Sequence, residues 1–247
     1  MIEAKTQQAL MVWLINFLAD KFGNSAILKG GMELRLLDCP RSTNDIDFIF
    51  VPFSSKKDVC KIVIESLNRV PNLKVRHTIN SKCLRCICDY NGIQVQLEIN
   101  VAQECESQEL STATFARIHN QQGRIIRGMR FDIALSHKIA AWNERELVRD
   151  LYDCYFIVEV LDVQPHIPTL KQRLLTSLIR SGRKTKKVSM SLNEFIVKLE
   201  ATISNLRQHA IEEQLRDFFS PEDLPGLEKK MKIGLKRLLN ALRSDNV

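Results

Sequence analysis

One short stretch constrains the fold of this chain more than any other part of its sequence. The stretch DIDFIF, which begins at Asp45, places apolar side chains at alternate positions. Because successive side chains of a β-strand point to opposite faces, Ile46, Phe48 and Phe50 share one face, and Asp45 and Asp47 share the other. The pattern predicts a strand with one face packed on a hydrophobic core and two carboxylates on the opposite face.

Helix and strand patterns alternate around this strand. Apolar residues at spacings of three and four indicate helices, whereas alternation indicates strands, and an Asn-Gly pair at residues 91 and 92 is typical of a hairpin turn. The predicted order is α, β, α, β, α, β, β, to which a further strand over 73–79 adds one β. Its elements are a helix over 3–22, a strand and a helix on either side of Gly30-Gly31, the strand from Asp45, a helix over 55–69, a strand over 73–79 and a hairpin of strands 82–89 and 93–100.

The second half of the chain has a helical pattern. Residues 110–124 give a weak signal, and we predict a loop there with one short strand near Ile125-Ile126. Pro165 and Pro168 mark a boundary, beyond which every predicted element is helical. The predicted helices are 133–143 with Asp132 as cap, 145–160, 169–180, 191–217 with a capping box at Ser191 and Glu194, and 221–243, with a basic hinge at 183–187.

Composition excludes several classes of protein. The chain has 247 residues, of which 45% are hydrophobic and 26% charged, as in globular proteins. Its apolar runs are shorter than the roughly 18–20 residues that span a bilayer, and the first helix lacks the small-residue site of a cleaved signal peptide. We expect a cytoplasmic protein without a membrane partner.

The seven cysteines are too few for a disulfide scaffold, so we expect reduced thiols. Cys83, Cys86 and Cys88 form a C-x-x-C-x-C pattern that admits a metal site. They lie in a predicted strand, however, with Cys86 and Cys88 on one face and Cys83 on the other, and no second ligand pair follows at zinc-site spacing. Packing thiols are the preferred interpretation.

The net charge of +7 belongs to the last third of the chain. Residues 1–170 contain 20 basic and 20 acidic residues, whereas residues 171–247 contain 16 and 9. Such an excess suits a polyanionic partner, because neutralised phosphates release condensed counterions, although a solvated helical surface has the same composition. The basic residues cluster as Arg183, Lys184, Lys186 and Lys187, and as Lys229, Lys230, Lys232, Lys236 and Arg237 on the final helix.

The acidic face of the strand from Asp45 predicts a metal site. Asp45 and Asp47 repel each other unless a cation lies between them, and Mg²⁺ takes carboxylate oxygens together with substrate phosphates. Upstream, the Gly30-Gly31 turn lets backbone N–H groups approach a phosphate without a Cβ in the way. Together these features indicate a seat for a triphosphate.

A third carboxylate on a later strand extends the site. Two-metal chemistry needs a further acid near the first pair. Glu98 alternates with the apolar residues Val95, Leu97 and Ile99, so it projects from the polar face of a half-buried strand. An ordinary solvent-facing glutamate is the alternative.

These motifs resemble a known family. The segment KGGMELRLLDCPRSTNDIDF, including Arg41 and Thr43, is similar to the signature of the AbiEii/AbiGii-type nucleotidyltransferase toxins, within the DNA polymerase β-like superfamily. A second match follows at Lys138-Ile139-Ala140-Ala141 and at Arg149-Asp150-Leu151-Tyr152-Asp153. The resemblance covers about residues 25–160.

The resemblance implies a fold, a reaction and a set of site residues. The fold is of the α/β (α+β) class: a polymerase β-like core with a mixed sheet over 1–130, then a helical domain over 131–247 that completes the nucleotide pocket and carries the basic surface. The reaction is transfer of a nucleotide from an NTP to a tRNA-like RNA by the toxin of a toxin–antitoxin or phage-abortive system, with a cognate antitoxin as an expected partner. Asp45, Asp47 and Glu98 would hold Mg²⁺ or Mn²⁺ and be catalytic; Lys29, Gly30, Gly31, Arg41, Thr43, Lys138, Asp150 and Asp153 would bind the nucleotide.

Other functions stay open at this point. The acceptor is a protein hydroxyl in one alternative. In another, the chain is a catalytically weak relative that acts as a binding or antitoxin-like module, and in a third it is a helical nucleic-acid-binding protein whose D-x-D is incidental. For the helix around Asp153, the local alternative to nucleotide binding is an intrahelical pair with Arg149.

Overall fold

The structure is a computed structural model that describes residues 4–181 and 184–244. The chain divides into two compact units, residues 1–130 and 131–247. The elements of the first unit are α1 (Gln7–Phe22), β1 (Ala26–Lys29), α2 (Gly31–Arg35), β2 (Asp45–Phe50), α3 (Lys56–Asn68), β3 (Leu73–Ile79), β4 (Leu84–Tyr90), β5 (Ile93–Val101), β6 (Ser107–Ser111), α4 (Ala113–Ile118) and β7 (Ile125–Met129).

The first unit is built on a seven-stranded mixed sheet with the order β3-β4-β5-β2-β1-β7-β6. The pairs β2–β5 and β1–β7 are parallel, and the other neighbouring strands are antiparallel. Strand β2 lies next to β5 although a helix and two strands separate them along the chain. This parallel pairing positions the candidate site.

One face of the sheet is packed and the other is polar. Ile46, Phe48 and Phe50 of β2 are buried, as the alternation predicts. Phe22 at the end of α1 packs edge-on against Phe50 with the ring centroids 5.2 Å apart, so α1 covers the apolar face. Burial of a phenylalanine or leucine side chain stabilises a fold by about 1.5–3 kcal/mol, so this face orients the strand firmly.

The order of the elements predicted up to residue 100, with the strand over 73–79 included, is confirmed, and β7 contains the short strand predicted near Ile125-Ile126. The loop predicted over 110–124 is wrong where β6 ends and where α4 lies. In place of a loop, β6 and α4 precede β7, and β6 pairs antiparallel with β7 at the edge of the sheet. The sequence of β6, SQELS, contains one buried apolar residue, Leu110, and therefore shows no alternation. Backbone pairing with a neighbour forms the strand.

The second unit contains helices and one small hairpin. Its elements are α5 (Phe131–Arg145), α6 (Val148–Tyr155), a π-helical turn (Phe156–Val160), α7 (Ile167–Leu175), β8 (Ser177–Ser181), β9 (Lys184–Val188), α8 (Leu192–Asn205), α9 (Gln208–Leu215) and α10 (Leu227–Ser244). Trp142 of α5 packs edge-on against Phe195 of α8, with ring centroids 5.7 Å apart. The apolar side of α10, which includes Met231 and Leu235, is buried.

The prediction that everything after Pro168 is helical is wrong in one place. Helix α7 ends at Leu175, and β8 and β9 form an antiparallel hairpin where we predicted the end of a helix and a basic hinge. The hairpin is formed by backbone pairing of the two strands, and the β-branched Val188 in β9 favours a strand. Arg183 of the predicted hinge lies outside the described residues.

Smaller boundary differences have local causes. The predicted helix 191–217 is broken because Leu206 and Arg207 have extended backbones. The capping box of Ser191 and Glu194 is present, and its hydrogen bonds lower the pKa of Glu194. Asp132 lies in the first turn of α5 rather than before it, where it accepts a hydrogen bond from the Ile133 amide. Among the helices of the described residues, none is long and apolar enough to cross a membrane.

Candidate active site

A row of four charged side chains crosses the polar face of the seven-stranded sheet. Lys29 of β1 is in register with Asp47 of β2, Asp47 with Glu98 of β5, and Glu98 with Arg85 of β4. Residues in register on neighbouring strands share a face, and their backbones lie about 4.8 Å apart. We call these four residues the charged row: two carboxylates on adjacent strands, with a cation at each end.

The aspartates of β2 have separate partners. Lys29 Nζ lies 3.8 Å from Asp47 Oδ1, and both side chains are about one-quarter exposed (25% and 23%). Asp45 is two residues along the same face, where its Oδ1 accepts a 2.8 Å hydrogen bond from the Thr43 hydroxyl. The two carboxylates are therefore held on one face, as the sequence predicts, and stay accessible to solvent.

The glycine turn after β1 lies against this acidic face. Gly30 has a φ of +82°, and a Cβ at this position would lie 2.6 Å from Asp47 Oδ2. A Cβ on Gly31 would lie 2.9 Å from Thr43 Oγ1 and 3.0 Å from Nη2 of the buried Arg41. Both positions exclude a side chain, so the backbone of the turn approaches the carboxylates directly.

Glu98 is held by neighbours on the same face. Its Oε1 accepts hydrogen bonds from Arg85 Nε at 3.0 Å, Arg85 Nη2 at 2.7 Å and Gln96 Nε2 at 3.0 Å. Arg85 is not among the residues predicted for the site. The signal was present, because a two-residue loop at Asn91-Gly92 sets the register of the hairpin and places residue 85 opposite residue 98.

Two of the three predicted metal ligands lie in surroundings that suit a divalent metal ion. Asp45 and Asp47 offer hard carboxylate oxygens beside a turn that no Cβ fills, which suits Mg²⁺ and a phosphate. The third, Glu98, is bound to Arg85. Within 4–181 and 184–244, no group of three or more His, Cys, Asp or Glu residues is arranged to hold a metal ion. The three-carboxylate centre stays a prediction.

The remaining predicted nucleotide residues belong to the second unit, where two buried carboxylates are each paired with a cation. Asp153, 1% exposed, accepts a 2.6 Å contact from Lys138 Nζ of α5. Asp150, also buried, accepts hydrogen bonds from Arg145 at 2.7 and 3.0 Å. The alternative of an Arg149–Asp153 surface pair is wrong, since Asp153 is buried and bound to Lys138, and Arg149 lies over the Phe218 ring.

The cysteines behave as packing residues. All seven are free thiols, and six are buried. Burial raises the pKa of Cys88 to about 12 and raises that of Cys86 further. Cys83 is on the Glu98 side, and burial and this carboxylate raise its pKa. The burial of six of the seven cysteines agrees with the packing role that the sequence predicts.

Part of the predicted basic surface is neutralised within the second unit. Arg237 contacts Glu159 at 3.1 Å and Asp162 at 2.6 Å, and Lys232 contacts Glu228 at 2.7 Å. Because Arg237 is held by two carboxylates and the Lys232 side chain is only 25% exposed, these two residues are weaker candidates for binding phosphates than the exposed lysines. Among the side chains that the structure describes, the exposed lysines of the predicted surface are Lys186, Lys187, Lys229, Lys230 and Lys236.

Comparison with known proteins identifies related sequences and folds. The family model described as "Nucleotidyl transferase AbiEii toxin, Type IV TA system" matches residues 14–243. The chain is similar to the crystal structure of JHP933 from Helicobacter pylori, with a TM-score of 0.55 and 14% identity over 97% of this chain and 93% of that one. It is also similar to MenT4, a nucleotidyltransferase toxin from Mycobacterium tuberculosis, with a TM-score of 0.51 and 15% identity over 96% and 84% of the two chains. No curated protein matches by sequence. The predicted fold class is confirmed.

Proposed function

Because the chain belongs to the AbiEii family of nucleotidyltransferase toxins, we propose that it transfers a nucleotide from an NTP to an RNA in a reaction that requires a divalent metal. The observation that supports this best is the packing of Gly30 against Asp47, with 2.6 Å between Asp47 Oδ2 and the position of a Cβ. That contact joins a backbone suited to phosphate with a carboxylate suited to metal.

The glycine turn is the proposed seat of the β- and γ-phosphates. Gly30 and Gly31 carry no Cβ, so the backbone N–H groups of the turn can approach phosphate oxygens more closely than those of other residues. Lys29, which ends β1 at the same place, adds a positive charge at the edge of this seat. The side chains of Thr43 and Arg41 lie beside Gly31 and are proposed to bind the nucleotide as well.

The carboxylates of β2 are the proposed metal ligands, with Glu98 as the third. Mg²⁺ or Mn²⁺ bound there would supply positive charge for the triphosphate and activate the attacking hydroxyl. The Thr43 hydroxyl keeps Asp45 in position. In the transfer, the acceptor oxygen bonds to the α-phosphorus, the bond from that phosphorus to the β-bridging oxygen breaks, pyrophosphate leaves, and the hydroxyl proton passes to a carboxylate of this face.

Lys138, Asp150 and Asp153 stay proposed nucleotide-binding residues. Asp153 orients the Lys138 ammonium, which is 18% exposed and can bind a triphosphate oxygen. Arg145 holds Asp150 through two hydrogen bonds, so this carboxylate is a fixed element rather than a mobile one.

The excess of cations in residues 171–247 supports RNA as the acceptor. A cognate antitoxin and a cytoplasmic location are part of the same proposal, since the family model describes a toxin of a type IV system. A protein hydroxyl as acceptor, and a catalytically weak antitoxin-like module, are the alternatives that the experiment below separates.

The test uses α-labelled NTPs, total RNA and a lysate freed of RNA, with Mg²⁺, Mn²⁺ or EDTA. Asp45→Asn and Asp47→Asn should abolish labelling of RNA while the protein keeps its circular dichroism and melting temperature. Asp58→Asn, an exposed aspartate in the first turn of α3, is the matched control and should label at the parent rate. Labelling that survives both site variants would overturn the active-site assignment, and label that appears only in protein would replace RNA as the acceptor.

A further inference from the structure

Arg85 lies at the end of the charged row that is farthest from the glycine turn. We propose that Arg85 binds a phosphate of the RNA acceptor with the outer edge of its guanidinium while the inner edge holds Glu98. This proposal rests on the proposed function, because it assigns the acceptor to one side of the same acidic face.

The guanidinium has donors for both tasks. It carries five N–H donors in a rigid fork, and the hydrogen bonds from Nε and Nη2 to Glu98 use two of them. The Arg85 side chain is 47% exposed, whereas the Glu98 side chain is 20% exposed. The remaining donors therefore sit on the more accessible partner, where an incoming phosphate can reach them.

The two cations of the charged row lie at opposite ends, so the triphosphate and the RNA can bind at different ends of it. Lys29 and Gly30 lie at the β1 end, the proposed seat of the triphosphate, and Arg85 lies three strands away, at about 14 Å from an inter-strand spacing of about 4.8 Å. Asp47 and Glu98 between them repel phosphates. An RNA approaching Glu98 needs a cation at its own end of the row, and Arg85 occupies that position.

The adjoining edge strand continues the positive surface. Lys74 and Arg76 of β3 are exposed, and Arg76 is in register with Ile87, which lies on the same face of β4 as Arg85. The one acidic neighbour on that face of β4, Asp89, accepts hydrogen bonds from the Gly92 amide and from Gln94 and is also in register with Lys74, so it offsets part of the charge of this edge. Arg85, Arg76 and Lys74 form a cationic edge along which further phosphates of one strand can lie.

Arginine suits this position better than lysine. Its fork can bind a carboxylate and a phosphate from different edges, whereas an ammonium acts as a single point charge. Arg85→Lys should therefore keep most of the RNA affinity and its salt dependence. It should lower kcat, because an ammonium cannot reproduce the pair of hydrogen bonds that Arg85 donates to Glu98. Arg85→Ala should lose both.

The test measures RNA binding apart from turnover. Fluorescence anisotropy of a 3′-labelled tRNA pool is followed in EDTA without NTP over a salt series, and NTP binding is measured separately. A hydrogen bond to a charged group contributes about 1.5–3 kcal/mol, so Arg85→Ala should weaken RNA binding by about 10–100-fold. The slope of log affinity against log salt should fall by about 0.7–0.9, with NTP affinity unchanged.

Arg69→Ala is the matched control, because Arg69 is also an exposed arginine paired with a glutamate, Glu65, but lies after α3. It should bind RNA like the parent. Equal RNA affinity and salt slope in Arg85→Ala and parent would overturn the role of Arg85 and leave the transferase proposal intact. A parent that neither binds nor labels RNA would instead overturn the RNA acceptor itself, and the Arg85 proposal with it.

Discussion

Gly30 and Asp47 pack so closely that a single added carbon cannot fit between them: a Cβ on Gly30 would lie 2.6 Å from Asp47 Oδ2. Elsewhere in the first unit, Gly92 of the β4–β5 turn has nearly the same φ, +85° against +82°, with nothing within 4 Å of its Cβ position. Both glycines adopt a positive φ that other residues rarely adopt, but only Gly30 lies in close contact with another side chain.

This pair of glycines gives the first prediction. Alanine at either position should destabilise the fold by about 1–2 kcal/mol, because an L-residue is strained at positive φ. Gly30→Ala should in addition displace Asp47 and lower kcat by 100-fold or more, on the scale of about 2.7 kcal/mol or more. Gly92→Ala should keep its activity. Nucleotide transfer and thermal melting of both variants are the measurements, and equal activities would contradict a role for the turn.

The buried pair of Lys138 and Asp153 leads to a prediction about stability and binding together. Lys138→Met leaves a carboxylate of 1% exposure without this partner, and breaking a buried pair costs about 3–5 kcal/mol. The melting temperature should therefore fall by several degrees. Adding Asp153→Asn removes the buried charge and should recover most of the stability.

Nucleotide affinity separates a binding role for Lys138 from a structural one. If Lys138 contacts the triphosphate, the double variant Lys138→Met/Asp153→Asn should be stable and still bind NTP weakly. Isothermal titration with a non-hydrolysable NTP measures this. A stable double variant with the parent affinity would show that the pair only supports the helices.

The lysines of β9 predict a change in salt dependence. Lys186 and Lys187 are adjacent on a strand, so they point to opposite faces of the hairpin, and one RNA backbone contacts only one of them. Charge reversal to glutamate at the contacting lysine should lower the salt slope of RNA binding by about 0.7–0.9, and reversal at the other should change it little. Lys57→Glu on α3 is the exposed control. Equal slopes of log RNA affinity against log salt in the parent and all variants would show that this hairpin does not bind RNA and is instead a solvated surface or an antitoxin-binding face.

The buried thiols predict a loss of stability in alkali. Burial raises the pKa of Cys88 from 9.0 to about 12. Between these values the unfolded chain has lost a proton that the native chain keeps, so the free energy of unfolding falls as pH rises. Urea unfolding at several pH values above 9 measures the slope. Cys88→Ala should have a shallower slope than the parent, and parallel slopes would contradict a protonated buried thiol.

Periodicity alone determines much of the first unit. The alternation of β2 places Asp45 and Asp47 on one face because the other face must be buried, and a slip of one residue would expose Phe48 and Phe50. The Asn91-Gly92 turn likewise sets the hairpin register, from which the Arg85–Glu98 pair follows. In the second unit, the Ser191 and Glu194 capping box also follows from local hydrogen bonding.

Contacts between distant segments were decided by the tertiary structure. Asp47 lies beside Glu98 because β2 pairs with β5 in parallel, and no pattern within either strand indicates which strand it pairs with. Asp153 binds Lys138 because the packing of α6 on α5 buries the carboxylate, and a buried charge needs an opposite charge nearby. Strand β6 likewise forms by pairing with β7, against a weak local pattern. Local periodicity reports which face of an element is buried, whereas the partner across that face depends on how the whole chain packs.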